Sequence, residues 1–105
     1  MSERTDALRR IQEIEQSMQQ LLQQKHNFSA QKTEVEQALS EIQNSSTAYK
    51  VVANIMVKSE RKKLVEELSE SLELLNLRIS SIEKQENKLR EEITDLQKSA
   101  LGKGD

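Results

Sequence analysis

From Arg4 to Ile42 apolar side chains recur at alternating gaps of three and four: Ala7, Ile11, Ile14, Met18, Leu21, Phe28, Val35, Leu39, Ile42. That spacing is a heptad seam, with Ile11, Met18 and Leu39 in the a column and Ile14, Leu21, Phe28, Val35 and Ile42 in d. A second seam runs Val65, Leu68, Leu72, Leu75, Ile79, Ile82, Leu89, Ile93, Leu96, Ala100, with Val65, Leu72, Ile79 and Ile93 at a and the remaining leucines and Ile82 at d. The pattern predicts helices over about 4–43 and about 60–100, and nearly equal lengths are what an antiparallel pair of helices requires. Three a positions break the apolar rule: Lys25 and Lys32 in the first helix and Glu86 in the second. The lysine stems can lie along the seam while their ammonium groups reach water, or the buried polar positions can fix register. If the helices fold back so that Ile42 lies near Val65, Lys25 and Glu86 fall one layer apart. A contact between them, partly exposed, is worth at most about 1 kcal/mol.

Between the seams the period changes. The stretch AYKVVANIMVK, Ala48–Lys58, crowds β-branched residues and the sole Tyr into one place, and predicts two short strands meeting at Ala53 and Asn54. Gln43 to Thr47, QNSST, is a loop by composition, and Ser59 with Glu60 after it is an expected helix start. Alternation places Tyr49, Val51 and Ala53 on one face of the first strand and Lys50, Val52 and Asn54 on the other, so neither face is cleanly polar. A two-stranded hairpin is marginal in water and leaves both edges open. The expected interface for further strands is therefore Tyr49, Val51, Val52, Ile55, Met56 and Val57. The fold class expected is mostly α: an antiparallel two-helix coiled coil with one central β-hairpin that joins an oligomeric β-barrel, 1–105 forming a single unit.

Composition narrows the function. With 32% charged residues, one Phe, one Tyr and no Trp or Pro in 105 residues, the chain suits solvated helices better than a globular core. Sixteen basic against eighteen acidic side chains leave a net charge of −2, which argues against general nucleic-acid binding. There is no Cys, the one His (His26) occupies an outward b position, and no phosphate-binding glycine loop or nucleophile motif occurs. No catalytic residue, cofactor or metal is therefore expected, and the chain reads as an interaction protein rather than an enzyme. The apolar runs fall well short of the roughly 20 residues that cross a bilayer, and the polar start SERTDALRR is no signal peptide, so no membrane association and a cytoplasmic location are expected.

At the helix ends away from the strands, Leu8, Ile11, Ile14 and Met18 on one arm and Leu89, Ile93, Leu96 and Leu101 on the other continue the apolar pattern. Leu8, Leu22, Leu77 and Leu101 fall outside the a and d columns, so some apolar surface stays wet or meets a partner. Met and Leu there suit adaptable contacts with varied apolar ligands. Leu8, Ile11, Ile14, Met18, Ile93, Leu96 and Leu101 are the candidate binding residues.

The order helix, strand pair, helix, with YKVVANIMVK at the strands and ELSESLELLNLRISSIEKQENKLREEITDLQ after them, resembles the prefoldin β family. Tyr49 and Lys50 entering the first strand, and LNLR then IEKQE between Leu75 and Glu86, carry the resemblance; Gln31 and Lys32 add to it weakly. Ala53 departs from it, since relatives usually have Gly there, a residue better suited to positive φ. The resemblance implies a hexamer of two α and four β subunits, in which hairpins close into a double β-barrel and coiled coils hang from it. It also implies an ATP-independent holdase that grips unfolded proteins at the arm tips and delivers them to a group II chaperonin. One strand pair, where an α subunit has two, makes the chain β-like. The alternatives are a homo-oligomeric or filament-forming relative, and a purely structural coiled-coil scaffold.

Overall fold

The computed structural model describes residues 2–44, 48–53 and 55–102, in the order α1 (Glu3–Gln43), β1 (Ala48–Val52), β2 (Ile55–Ser59) and α2 (Arg61–Gly102). Within QNSST, Gln43 ends α1 and Asn44 forms a turn, while Ser45–Thr47 lie outside the described residues, as do Asn54 and the tail Lys103–Asp105. The chain packs as two units, Met1–His26 with Ser80–Asp105, and Asn27–Ile79.

α1 begins at a cap the apolar spacing did not reveal. Ser2 accepts the Thr5 N–H on Oγ at 3.1 Å and the Asp6 N–H on its carbonyl at 3.1 Å. The Oγ contact satisfies one of the helix's otherwise unpaired amides, the carbonyl contact is the first regular bond of the helix, and Glu3 and Asp6 add negative charge where the dipole favours it. The other end lacks a basic residue in its last turn. Arg61, the first residue of α2, supplies the charge instead: its Nη2 donates to the Gln43 carbonyl at 2.6 Å. The start of α2 corrects the expected cap. Ser59 pairs with Ala48 as the last rung of the strand ladder, so Glu60 takes the cap position and its carbonyl accepts the Leu64 N–H at 3.0 Å.

In the unit built from 1–26 and 80–105 the helices run antiparallel, since Arg10 bonds Glu92 and Lys25 bonds Glu86. Among the described residues, every buried one in it lies on a seam column: Ala7, Ile11 and Ile14 from α1, and Ile82, Glu86 and Ala100 from α2. Ile14 is the most enclosed at 1% exposure. Two of these seam positions, Ala7 and Ala100, are filled by short side chains. Lys25 Nζ donates to Glu86 Oε1 at 3.0 Å, so the cross-seam contact expected from the layering is present. The premise of partial exposure needs correction for one partner: the Glu86 side chain is 5% exposed, against 32% for Lys25. Arg90, one turn along, stands 4.0 Å from the second Glu86 oxygen. A carboxylate so enclosed depends on these cations, because an unpaired buried charge costs several kcal/mol.

In the unit spanning 27–79, Leu75 is the buried seam residue, and Phe28, Val35, Leu39, Val65, Leu68, Leu72 and Ile79 are half-buried. The Arg78 guanidinium lies 5.5 Å from the centre of the Phe28 ring, a cation–π contact that covers the sole Phe. β1 and β2 form an antiparallel pair whose last rung is Val52 with Ile55, leaving a two-residue loop. Both primed turns that suit such a loop need positive φ at its first residue, and Ala53 adopts φ 49°. Which primed turn it is depends on Asn54, outside the described residues.

Left-handed Ala costs about 1 kcal/mol relative to Gly. Ala53→Gly should therefore slow amide exchange of the strand residues roughly fivefold, as read by hydrogen-exchange mass spectrometry. Lys25→Met should cost about 1–3 kcal/mol in chemical denaturation by stranding the Glu86 carboxylate. Lys25→Met combined with Glu86→Leu should restore or exceed the wild-type stability, because replacing both charges removes the desolvation penalty.

Candidate interaction surfaces

The strand ladder fixes which hairpin side chains share a face, because directly opposed residues point the same way. Tyr49, Val51, Met56 and Lys58 form one face; Lys50, Val52, Ile55 and Val57 form the other. All six residues expected at the interface are exposed, from 46% at Val57 to 69% at Met56. The two faces are not equivalent. Lys50 reaches α2 and donates to both carboxylate oxygens of Glu67, at 3.1 and 3.4 Å, which turns its face toward the first turns of that helix. Val52 and Val57 on that face are less open than Tyr49, Val51 and Met56 on the other, while Ile55, beside the turn, is as open as Val51. Among the described residues each strand has only the other as its partner, and neither outer edge carries ladder bonds.

The residues expected to bind at the arm tips divide. Leu8 and Leu101 are exposed, at 53% and 73%. Met18, Ile93 and Leu96 are half-buried, and Ile11 and Ile14 are buried within the seam. The geometry therefore gives Ile11 and Ile14 a packing role; the side chains that face water at the ends of the helices are the two outside the heptad columns. Ala7 and Leu96 line a shallow groove with Glu3, Asp6, Arg10 and Ser99. Its rim is charged: Arg10 donates to Glu92 at 3.1 Å, and that bond and the carboxylate's charge raise the guanidinium pKa above its ordinary value.

Of the apolar residues off the seam, Leu22 and Leu77 are exposed as their columns require. Leu74 was not singled out by the spacing and is also exposed, at a c position beside Gln31, Glu34 and Val35. The Lys50–Glu67 and Arg61–Gln43 contacts also escaped the sequence reading, since neither pair has a spacing signature. Among the described residues no group of three acidic, His or Cys side chains is arranged to hold a metal ion, and no helix is long and apolar enough to cross a membrane.

A family model described as Prefoldin subunit matches residues 5–102. The prefoldin subunit beta of Thermococcus onnurineus is 35% identical over 92 residues, covering 85% of this chain and 79% of that protein. That of Methanococcoides burtonii is 35% identical over 101 residues, covering 90% and 86%. The crystal structure of the prefoldin beta subunit from Thermococcus strain KS-1 matches with a TM-score of 0.91 at 30% identity, over 97% of this chain and 92% of that one.

Proposed function

The chain belongs to the prefoldin subunit family, and from that premise we propose that it is a β-type subunit of an ATP-independent holdase chaperone. Its hairpin joins those of α subunits and further β copies in a barrel of two α and four β chains. The arms grip unfolded proteins at their tips and pass them to a group II chaperonin in the cytoplasm. The whole chain acts as one prefoldin-like unit, and no step in this role makes or breaks a covalent bond, so the chain is not an enzyme.

The observation that carries the proposal is the hairpin. Six large apolar side chains stand exposed on its two faces, and neither strand has a second neighbour among the described residues. Unpaired edges with apolar faces are stable only when another chain covers them. Added strands satisfy the open backbone groups and bury the side chains together. Gripping clients through several arms also explains how small patches suffice, since each further contact is intramolecular once the first has formed.

Two measurements test this. In native mass spectrometry with an α-type prefoldin subunit, the wild-type chain should appear in a hexamer, whereas Val51→Lys plus Val57→Lys should leave only small species of unchanged helicity. A hexamer formed equally well by the double variant would refute the strand interface. For the tips, Leu8→Ser plus Leu101→Ser should weaken suppression of aggregation of a denatured test protein at least about threefold without altering assembly. Undiminished suppression would mean that clients bind elsewhere.

A further inference from the structure

Two charged residues stand on the strands, Lys50 and Lys58, and no acidic residue accompanies them between Ala48 and Ser59. Their situations differ. Lys50 is neutralised within the chain by Glu67, at 3.1 Å. Lys58 pairs with no described residue, and it shares the more open face with Tyr49, its direct opposite across the ladder, and with Val51 and Met56.

Any partner that covers this face also takes water from the Lys58 ammonium. An apolar covering would leave the charge unpaired, which is costly in a water-poor interface. A second copy of this chain is worse, since it brings another Lys58 and no carboxylate on its own strands, and like charges at an interface repel. We propose that the face bearing Tyr49, Val51, Met56 and Lys58 is shaped to receive a β-hairpin of a different chain, one that sets an Asp or Glu against Lys58. The charge makes the hairpin select a hetero-partner. This rests on the reading that assembly proceeds through the strands, and it adds the chemistry by which the strand partner is chosen.

The test uses the Lys58→Glu variant of this same full-length chain as the acidic partner. Association is followed by native mass spectrometry and by the emission of Tyr49, the sole fluorophore of its kind in a chain without Trp. An equimolar mixture of wild type and Lys58→Glu should associate about tenfold more tightly than either chain alone, the scale of one desolvated charge pair. The advantage should shrink at 1 M salt, where screening acts within about 3 Å. Lys58→Met, which removes the repulsion and keeps the stem, should self-associate more tightly than wild type. Equal association of wild type, variant and mixture would overturn the charge selection. If Val51→Lys plus Val57→Lys abolishes that equal association, the strand interface survives and only the charge selection fails. If that double variant associates as well as the rest, assembly through the strands fails too.

Discussion

Backbone amides and carbonyls on the edge of a sheet must find partners, and a sheet of two strands has an edge on each side. Among the described residues β1 bonds only β2, and each face of the ladder carries mostly apolar side chains with one lysine among them. The helices offer little cover: within the unit that holds the hairpin, the apolar residues of α1 and α2 largely face each other along the seam, and the link from hairpin to helix is the polar Lys50–Glu67 contact. A hairpin in that state gains more from further strands than from anything its own chain supplies. On the proposed assembly, its exposed valines, Ile55 and Met56 are an interior that awaits its other half.

The seam makes a complementary point about energetics. Two helices bury only a narrow stripe of each other, and among the described residues the buried apolar set is Ala7, Ile11, Ile14, Leu75, Ile82 and Ala100. Two of these are alanines, and Glu86 occupies a column that could have held another aliphatic side chain. Stability drawn from such a stripe is modest, and binding that favours the folded form adds to it by mass action. Lys25 and Glu86 restrain register in one direction: a heptad slide that put Met18 in place of Lys25 would leave the enclosed carboxylate opposite an apolar side chain, whereas a slide the other way would offer it Lys32 of the same column.

Much of this was legible in the sequence because periodicity encodes it. Gaps of three and four placed the seams, and the run from Ala48 to Lys58 placed the strands. Layering of the two seams brought Lys25 near Glu86. What the pattern could not give was contact between elements of different period. Lys50 of the hairpin meets Glu67 of α2 at 3.1 Å, a contact between a strand and a helix that no spacing records. Arg61 meets Gln43 because the helix start and helix end are brought together by a segment between them. Ser59 has the chemistry of a cap, yet the ladder claims it, and Glu60 takes its place. Ile11 and Ile14 share the hydrophobicity of Leu8, but their a and d columns place them inside the seam, whereas Leu8, outside both columns, is exposed.

Exposed apolar strands carry a hazard as well as a use, since any chain with a free edge can add to them. Proteins commonly guard such edges with lysine, whose charge resists burial against an apolar or like-charged neighbour. Here the guard is uneven. Lys50 has its counter-ion within the chain, so its face can be covered with little electrostatic penalty, while Lys58 keeps its charge on the face that is most open. An obstacle of that kind is removed only by a partner that brings the opposite charge to the right place. On the proposed assembly, the same side chain that discourages random pairing favours one pairing, and a short and sticky hairpin gains selectivity from it.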